Sequence, residues 1–243
     1  MQRGAPTTTG FPFTFPSAEK NPNPPLKKIS APHMHLEMLD LLAPALVDKD
    51  RARVLDVGSG SGYLVACLYK LVAERGGEVV GVEKHAPLAR RSLESLRRVV
   101  PEALESGRVR VGAANVLAQG ALERDDELFV GGGGAGGQKK SSKSPSRPLP
   151  SSSEGGGEEE EDNRRKFDAI HVGAAAARLP QALVDALKPG GRMVIPLGPE
   201  GGNQVLSVID KSRDKSGGFT KKDLLGVRFV PLTEPGKDKH GGL

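Results

Sequence analysis

Residues 53 to 75, RVLDVGSGSGYLVACLYKLVAER, constrain this chain more than any other stretch. An unbroken apolar run ends at a turn carrying Gly58, Gly60 and Gly62, and the chain then enters a helical pattern. Glycine tolerates the backbone angles of such a turn and lets the main chain approach a ligand at the point where strand becomes helix. The same alternation continues beyond it. The spacing predicts helix 32–47, strand 53–58, helix 62–75, strand 78–83, helix 87–100 and strand 108–114, followed later by strand 167–173 and helix 179–191. Three further strands are predicted over 192–198, 204–210 and 224–232. Continuous apolar strands separated by amphipathic helices are the pattern of a parallel sheet covered on both faces. The last strands, joined without long helices, predict an antiparallel hairpin at one edge. The expected fold is therefore α/β, a doubly wound and mostly parallel sheet with an antiparallel edge hairpin.

Two stretches stand outside that pattern. Residues 1–25 have proline too often for helix or central strand and predict an unstructured lead. Residues 131–165, GGGGAGGQKKSSKSPSRPLPSSSEGGGEEEEDNRR, bury too little apolar surface to offset their ordering entropy and predict a low-complexity insert without fixed structure. Residues 26–130 and 166–235 then form one domain, with 236–243 as a flexible tail. The insert enters the strand at 167 from its amino end, whereas ligands of open α/β sheets bind beyond the carboxyl ends, so it is expected to hang away from the site.

Composition narrows the function. The chain has 243 residues with 35 basic and 30 acidic side chains, a net charge of +5. The basic residues come in scattered pairs without aromatic neighbours, a poor basis for nucleic-acid binding. The single cysteine, Cys67, excludes an internal disulfide and fits a reducing compartment; in an apolar helical pattern it reads as a small core residue. No apolar run approaches the ~20 residues that cross a bilayer. The expectation is a soluble, cytoplasmic, monomeric protein with no nucleic-acid or membrane partner and no metal. His33 and His35 are two apart on a helix and point to different faces, so they do not form a metal pair. His171, in an apolar strand, reads as a hydrogen-bonded core histidine.

The ligand follows from the turn and what comes after it. Glu83 closes the second predicted strand 21 residues beyond Gly62, where a carboxylate can accept hydrogen bonds from both hydroxyls of a ribose. A dinucleotide fingerprint would require glycine at position 63, and that residue is Tyr63, which argues against a nicotinamide oxidoreductase. Asp56 instead precedes the first glycine by two, and the spacing Asp-x-Gly-x-Gly-x-Gly resembles the first motif of Rossmann-like methyltransferases that bind S-adenosyl-L-methionine. A cationic sulfonium without phosphate suits a turn flanked by a carboxylate.

Five segments sharpen the resemblance: ISAPHMH (29–35), LDVGSGSGY (55–63), FDAIHVGAAA (167–176), LKPGGRMVIPLGPEGGNQ (187–204) and GVRFVPLT (226–233). In order and spacing they resemble the protein-L-isoaspartate (D-aspartate) O-methyltransferase family over about 29–125 and 166–233. The resemblance implies methyl transfer from S-adenosyl-L-methionine to the free carboxylate of L-isoaspartyl or D-aspartyl residues in damaged proteins, whose repair follows. It implies that Ser30 is the active-site serine, with Ile29, Ala31 and His35 in the adjoining substrate pocket. It matches Asp56, Gly58, Ser59, Gly60, Ser61 and Gly62 to the cofactor turn and Glu83 to the ribose carboxylate. Where the family has GDG after the third strand this chain has AANV, with Asn115 the nearest equivalent, and Thr233 falls at the last cofactor contact. Ser30, ahead of Ala31 and Pro32, is also good helix-start chemistry. The alternative left open is a catalytically impaired relative that binds altered proteins or cofactor without turnover.

Overall fold

Every residue of β1 (Arg53–Val57) is buried, which requires neighbours on both edges and cover on both faces. Both edges are taken by parallel strands, β2 (Glu78–Glu83) on one side and β4 (Phe167–Val172) on the other. A computed structural model describes residues 32–118, 121–122, 158–214 and 217–233. With β3 (Val109–Ala113), β5 (Leu187–Leu197), β6 (Gln204–Lys211) and β7 (Phe219–Val227) the sheet has seven strands in the order β3-β2-β1-β4-β5-β6-β7. The first five run parallel, whereas β6 is antiparallel to β5 and β7 antiparallel to β6, the expected edge hairpin.

Alternation along the strands sends side chains into two cores. Val54 and Val79 join one with Met38, Leu42, Val65 and Leu68, and Leu55 and Val80 join the other with Ile170, Leu183 and Val184. The first is covered by α1 (Pro32–Leu42), α2 (Tyr63–Val72) and α3 (Ala86–Val99). Pro32 opens α1, where its missing N–H costs nothing. On α3 the buried positions are Ala89, Ser92 and Leu96, spaced as one face of a helix. That helix ends before Pro101, which forces Val100 out of helical geometry and starts α4 (Pro101–Glu105), a short helix absent from the sequence pattern.

Three expectations change. The stretch read as lacking structure up to 165 is helical over its last eight residues, as α5 (Glu158–Arg165). Its carboxyl end is held by the Arg53 guanidinium, which donates to the Arg165 carbonyl, reaches Glu78 Oε1 at 2.7 Å and lies 4.5 Å from the centre of the Phe167 ring. Those contacts sit at the amino ends of β1 and β4, opposite the glycine turn. The helix predicted over 179–191 is only α6 (Gln181–Asp185), because Leu187 already pairs with Phe167. The chain then bulges until Arg192 meets Ala169, with Gly190 at a φ of 75°. The last strand runs Phe219–Val227 and not 224–232, because the Gln204 side chain takes up the backbone of Phe229, donating to its carbonyl at 3.2 Å and accepting from its N–H at 2.6 Å.

The lead 1–25, residues 131–157 of the insert and the tail 236–243 lie outside the described residues, as do Ile29, Ser30 and Ala31. Among the described residues no helix is long and apolar enough to cross a membrane.

Candidate active site

The glycine turn leaves β1 with its amides already committed. Gly58 N–H and Ser59 N–H both donate to the Val82 carbonyl, at 2.7 and 3.2 Å, which locks the turn to β2. Gly60 N–H donates to Glu83 Oε2 at 3.1 Å, and His85 N–H to Oε1 at 3.0 Å. Glu83 is 7% exposed and lines a cleft at the carboxyl ends of the strands. An ionised carboxylate offers about four lone-pair sites, so each oxygen of Glu83 retains capacity for a hydroxyl. The turn and the acid are thus one unit: the backbone aims the carboxylate, and the carboxylate fixes the turn.

Gly62 closes the turn at a φ of 82° and serves as N-cap of α2. A Cβ there would lie 2.7 Å from Ser92 Oγ and 3.1 Å from both Leu96 Cγ and the Ser92 carbonyl. Gly62→Ala therefore combines left-handed strain with a clash against α3, and is expected to cost about 2–4 kcal/mol of stability. Urea unfolding checks this; a loss under about 1 kcal/mol would show that α3 yields easily.

Of the residues matched to the cofactor, Gly58, Glu83, Asn115 and Thr233 line the cleft. Asn115 Nδ2 donates to the Thr233 carbonyl at 3.0 Å, and its Oδ1 accepts from Leu117 N–H at 3.0 Å. Ser61 is exposed, and Gly60 is behind the cleft wall, bonded to Glu83. Asp56 is turned inward and is 1% exposed, with Oδ1 2.6 Å from His171 Nδ1. Its Oδ2, and Ser59 Oγ in the turn, are buried without a hydrogen-bond partner among the described residues. Unsatisfied buried oxygens are costly, but neither Asp56 nor Ser59 lines the cleft, whereas Gly58 and Glu83 do. The spare acceptors of Glu83 fit a ribose in the same place.

His171 is the core histidine expected of it: 2% exposed, and 3.3 Å through Nε2 from Met38 Sδ. Its contacts join the Asp56 end of β1 to α1. On α1, His33 is exposed and His35 buried, so the two diverge as anticipated. The His35 ring packs 5.4 Å from that of Tyr63, and burial, aided by His171 and opposed by Asp56, holds its pKa below the usual value. His35 is therefore a neutral wall at physiological pH. Cys67 is half-buried, and burial pushes its thiol up despite a hydrogen bond with Tyr63, so it is no nucleophile.

Two polar side chains that hold the segment 228–233 were not singled out from the sequence. Lys84 donates to Thr233 Oγ1, and Gln204, 3% exposed, holds Phe229. A polar residue opening an apolar strand was the available signal for Gln204. Lys84 offered none beyond its place beside Glu83.

A parallel sheet with an antiparallel edge pair, a glycine turn without the third pyrophosphate glycine, and an acid ending β2 over that turn define a Rossmann-like methyltransferase fold. The family model described as Protein-L-isoaspartate(D-aspartate) O-methyltransferase (PCMT) matches residues 19–117 and 151–237. This chain belongs to that family. Protein-L-isoaspartate O-methyltransferase 2 of Arabidopsis thaliana is 40% identical over 205 residues, 84% of this chain and 51% of that protein. The Caenorhabditis elegans protein-L-isoaspartate O-methyltransferase is 36% identical over 205 residues, 84% of this chain and 70% of that protein. The chain thus spans about half the length of the first relative and about 70% of the second. A Plasmodium falciparum protein-L-isoaspartate O-methyltransferase crystallised with S-adenosyl-L-homocysteine has 33% identity and a TM-score of 0.60, covering 84% of this chain and 75% of that one.

Proposed function

We propose that the cleft binds S-adenosyl-L-methionine and that the chain methylates the free carboxylate of L-isoaspartyl or D-aspartyl residues in damaged proteins. The observation that carries this is Glu83, buried at the cleft and hydrogen-bonded by the Gly60 amide with acceptor capacity to spare. When bound, the cofactor supplies an electrophilic methyl on a cationic sulfur. The acceptor, a carboxylate of pKa near ~4, is ionised at neutral pH, so no general base is required of the protein. What this chain must supply is alignment and exclusion of water. Attacking anion and cation neutralise each other during transfer, so small neutral donors serve better at that point than fixed charge. Ser30, two positions before the first residue of α1, is assigned that role from the family motif, with Ile29, Ala31 and the neutral His35 beside it. A reducing, cytoplasmic setting accords with the single cysteine, and the chain is taken to act as a monomer.

Methyl transfer to an isoaspartyl peptide, but not to its aspartyl isomer, is the expected result with the full chain. Ser30→Ala should lower kcat by about 10–100-fold, the scale of one lost transition-state hydrogen bond, while S-adenosylhomocysteine binds as before. Cofactor binding without transfer by the unaltered chain would refute the activity and leave a relative that binds without turnover.

A further inference from the structure

The segment 228–233 leaves β7 and crosses the carboxyl ends of the sheet as a strap, tied down by a different strand connection at each step. Gln204 at the start of β6 holds Phe229, as described above. Beyond β4, Ala175 N–H donates to the Val230 carbonyl at 2.8 Å and its carbonyl accepts from Leu232 N–H at 2.7 Å. Beyond β3, Asn115 holds the Thr233 carbonyl, and beyond β2, Lys84 holds the Thr233 hydroxyl. The first ties lie at the base of the strap. The last two are in the cleft wall itself, where Lys84, Asn115 and residues 230–233 all line the space next to Glu83.

From this arrangement we infer that Lys84 is a positioning residue: it latches the end of the strap over the cleft and fixes which way the Thr233 hydroxyl donates. The inference rests on the cofactor reading proposed above and deepens it. An ammonium can only donate, so the Thr233 oxygen must accept from Lys84 and its proton must point elsewhere. Asn115 is oriented by the same logic, since its NH2 faces a carbonyl and its oxygen faces the Leu117 N–H. With both amide roles assigned, one N–H of Asn115 remains uncommitted by these contacts. The wall beside Glu83 is therefore a set of oriented polar groups that a nucleoside can meet without reorganisation, and Lys84 supplies an ammonium donor in that set. Loss of the cation would leave the strap's end to its Asn115 and Ala175 bonds, loosen it and let the hydroxyl rotate.

Lys84 is only partly buried, so Lys84→Met leaves the core intact. In the ligand-free full chain, Lys84→Met is expected to raise hydrogen exchange at the Leu232 amide about five-fold or more, read by NMR. By calorimetry, Lys84→Met and Thr233→Val should each weaken S-adenosylhomocysteine about ten-fold, the double variant being no worse than either alone, as coupled partners require. Lys84→Arg, which keeps a cationic donor, should recover most of the affinity. Unchanged exchange at Leu232, or losses that simply add, would overturn the latch. If the unaltered chain fails to bind S-adenosylhomocysteine, the cofactor reading falls, and the exchange measurement still decides the latch by itself.

Discussion

Glu83→Ala is expected to weaken S-adenosylhomocysteine binding by at least about 100-fold. The carboxylate has two duties that one substitution removes together. Toward the protein it accepts from the Gly60 and His85 amides; toward the cleft it offers the acceptors for a ribose. Hydrogen bonds to a charged group contribute roughly 1.5–3 kcal/mol each, and about 3 kcal/mol corresponds to the stated loss. Glu83→Gln gives a sharper comparison, because a side-chain NH2 must then face one of two backbone N–H groups. Donor against donor is repulsive, so glutamine should lie within a few-fold of alanine despite its shape. Calorimetry on the three proteins reads this out. If glutamine restored near-native affinity, the charge and the paired amides would both be irrelevant to binding.

The parts of the fold legible in the sequence were those fixed by local patterning. Strand β1, the turn and α2 are specified within 53–75 by apolar continuity followed by glycine, and Glu83 by its place at the end of the next apolar run. The edge hairpin was readable because no long helix separates the last strands. Pattern failed where a long-range contact took precedence. Lys188 to Gly191 looked like the end of a helix, yet Leu187 pairs with Phe167 and the segment becomes a bulge in β5. Residues 228–232 are apolar enough for a strand, and Gln204, more than twenty positions earlier in the chain, claims the backbone instead. The site shows the same division. Asp56 could be located at the turn from spacing, but its inward orientation depends on His171, 115 residues away. Asn115 and Thr233 were placed in the cleft from the family motif; that they bond to each other is a property of the folded strap.

The largest loss of stability should come from the end of the sheet remote from the cleft, at Asp168. This carboxylate is 1% exposed and gathers three donors from three parts of the chain. Arg53 N–H on β1 and Lys188 Nζ on β5 both reach Oδ2 at 2.7 Å, and Lys49 Nζ, from the connection ahead of β1, stands 2.6 Å from Oδ1. Asparagine keeps one acceptor oxygen, enough for the Arg53 amide, but leaves two ammonium groups without their counter-charge and turns an NH2 toward one of them. Breaking a buried pair costs about 3–5 kcal/mol, but both lysines reach solvent, Lys49 being 43% exposed, so Asp168→Asn should cost about 2–4 kcal/mol. Burial alone would raise the Asp168 pKa; the bonds from Lys188, Lys49 and the Arg53 amide outweigh it and hold the carboxyl below its ordinary range. A folded pKa below the unfolded one means that the unfolded chain takes up this proton first on acidification. The stabilisation is therefore complete above the unfolded value of ~4 and drains away as pH falls through the folded value. Urea unfolding of the wild type and Asp168→Asn should show a constant gap from about pH 8 to pH 5 that narrows below about pH 4, because asparagine cannot take up the proton. Comparing the two proteins cancels the titration of every other carboxylate, so an undiminished gap at pH 3 would mean that the contribution of Asp168 does not come from its charge.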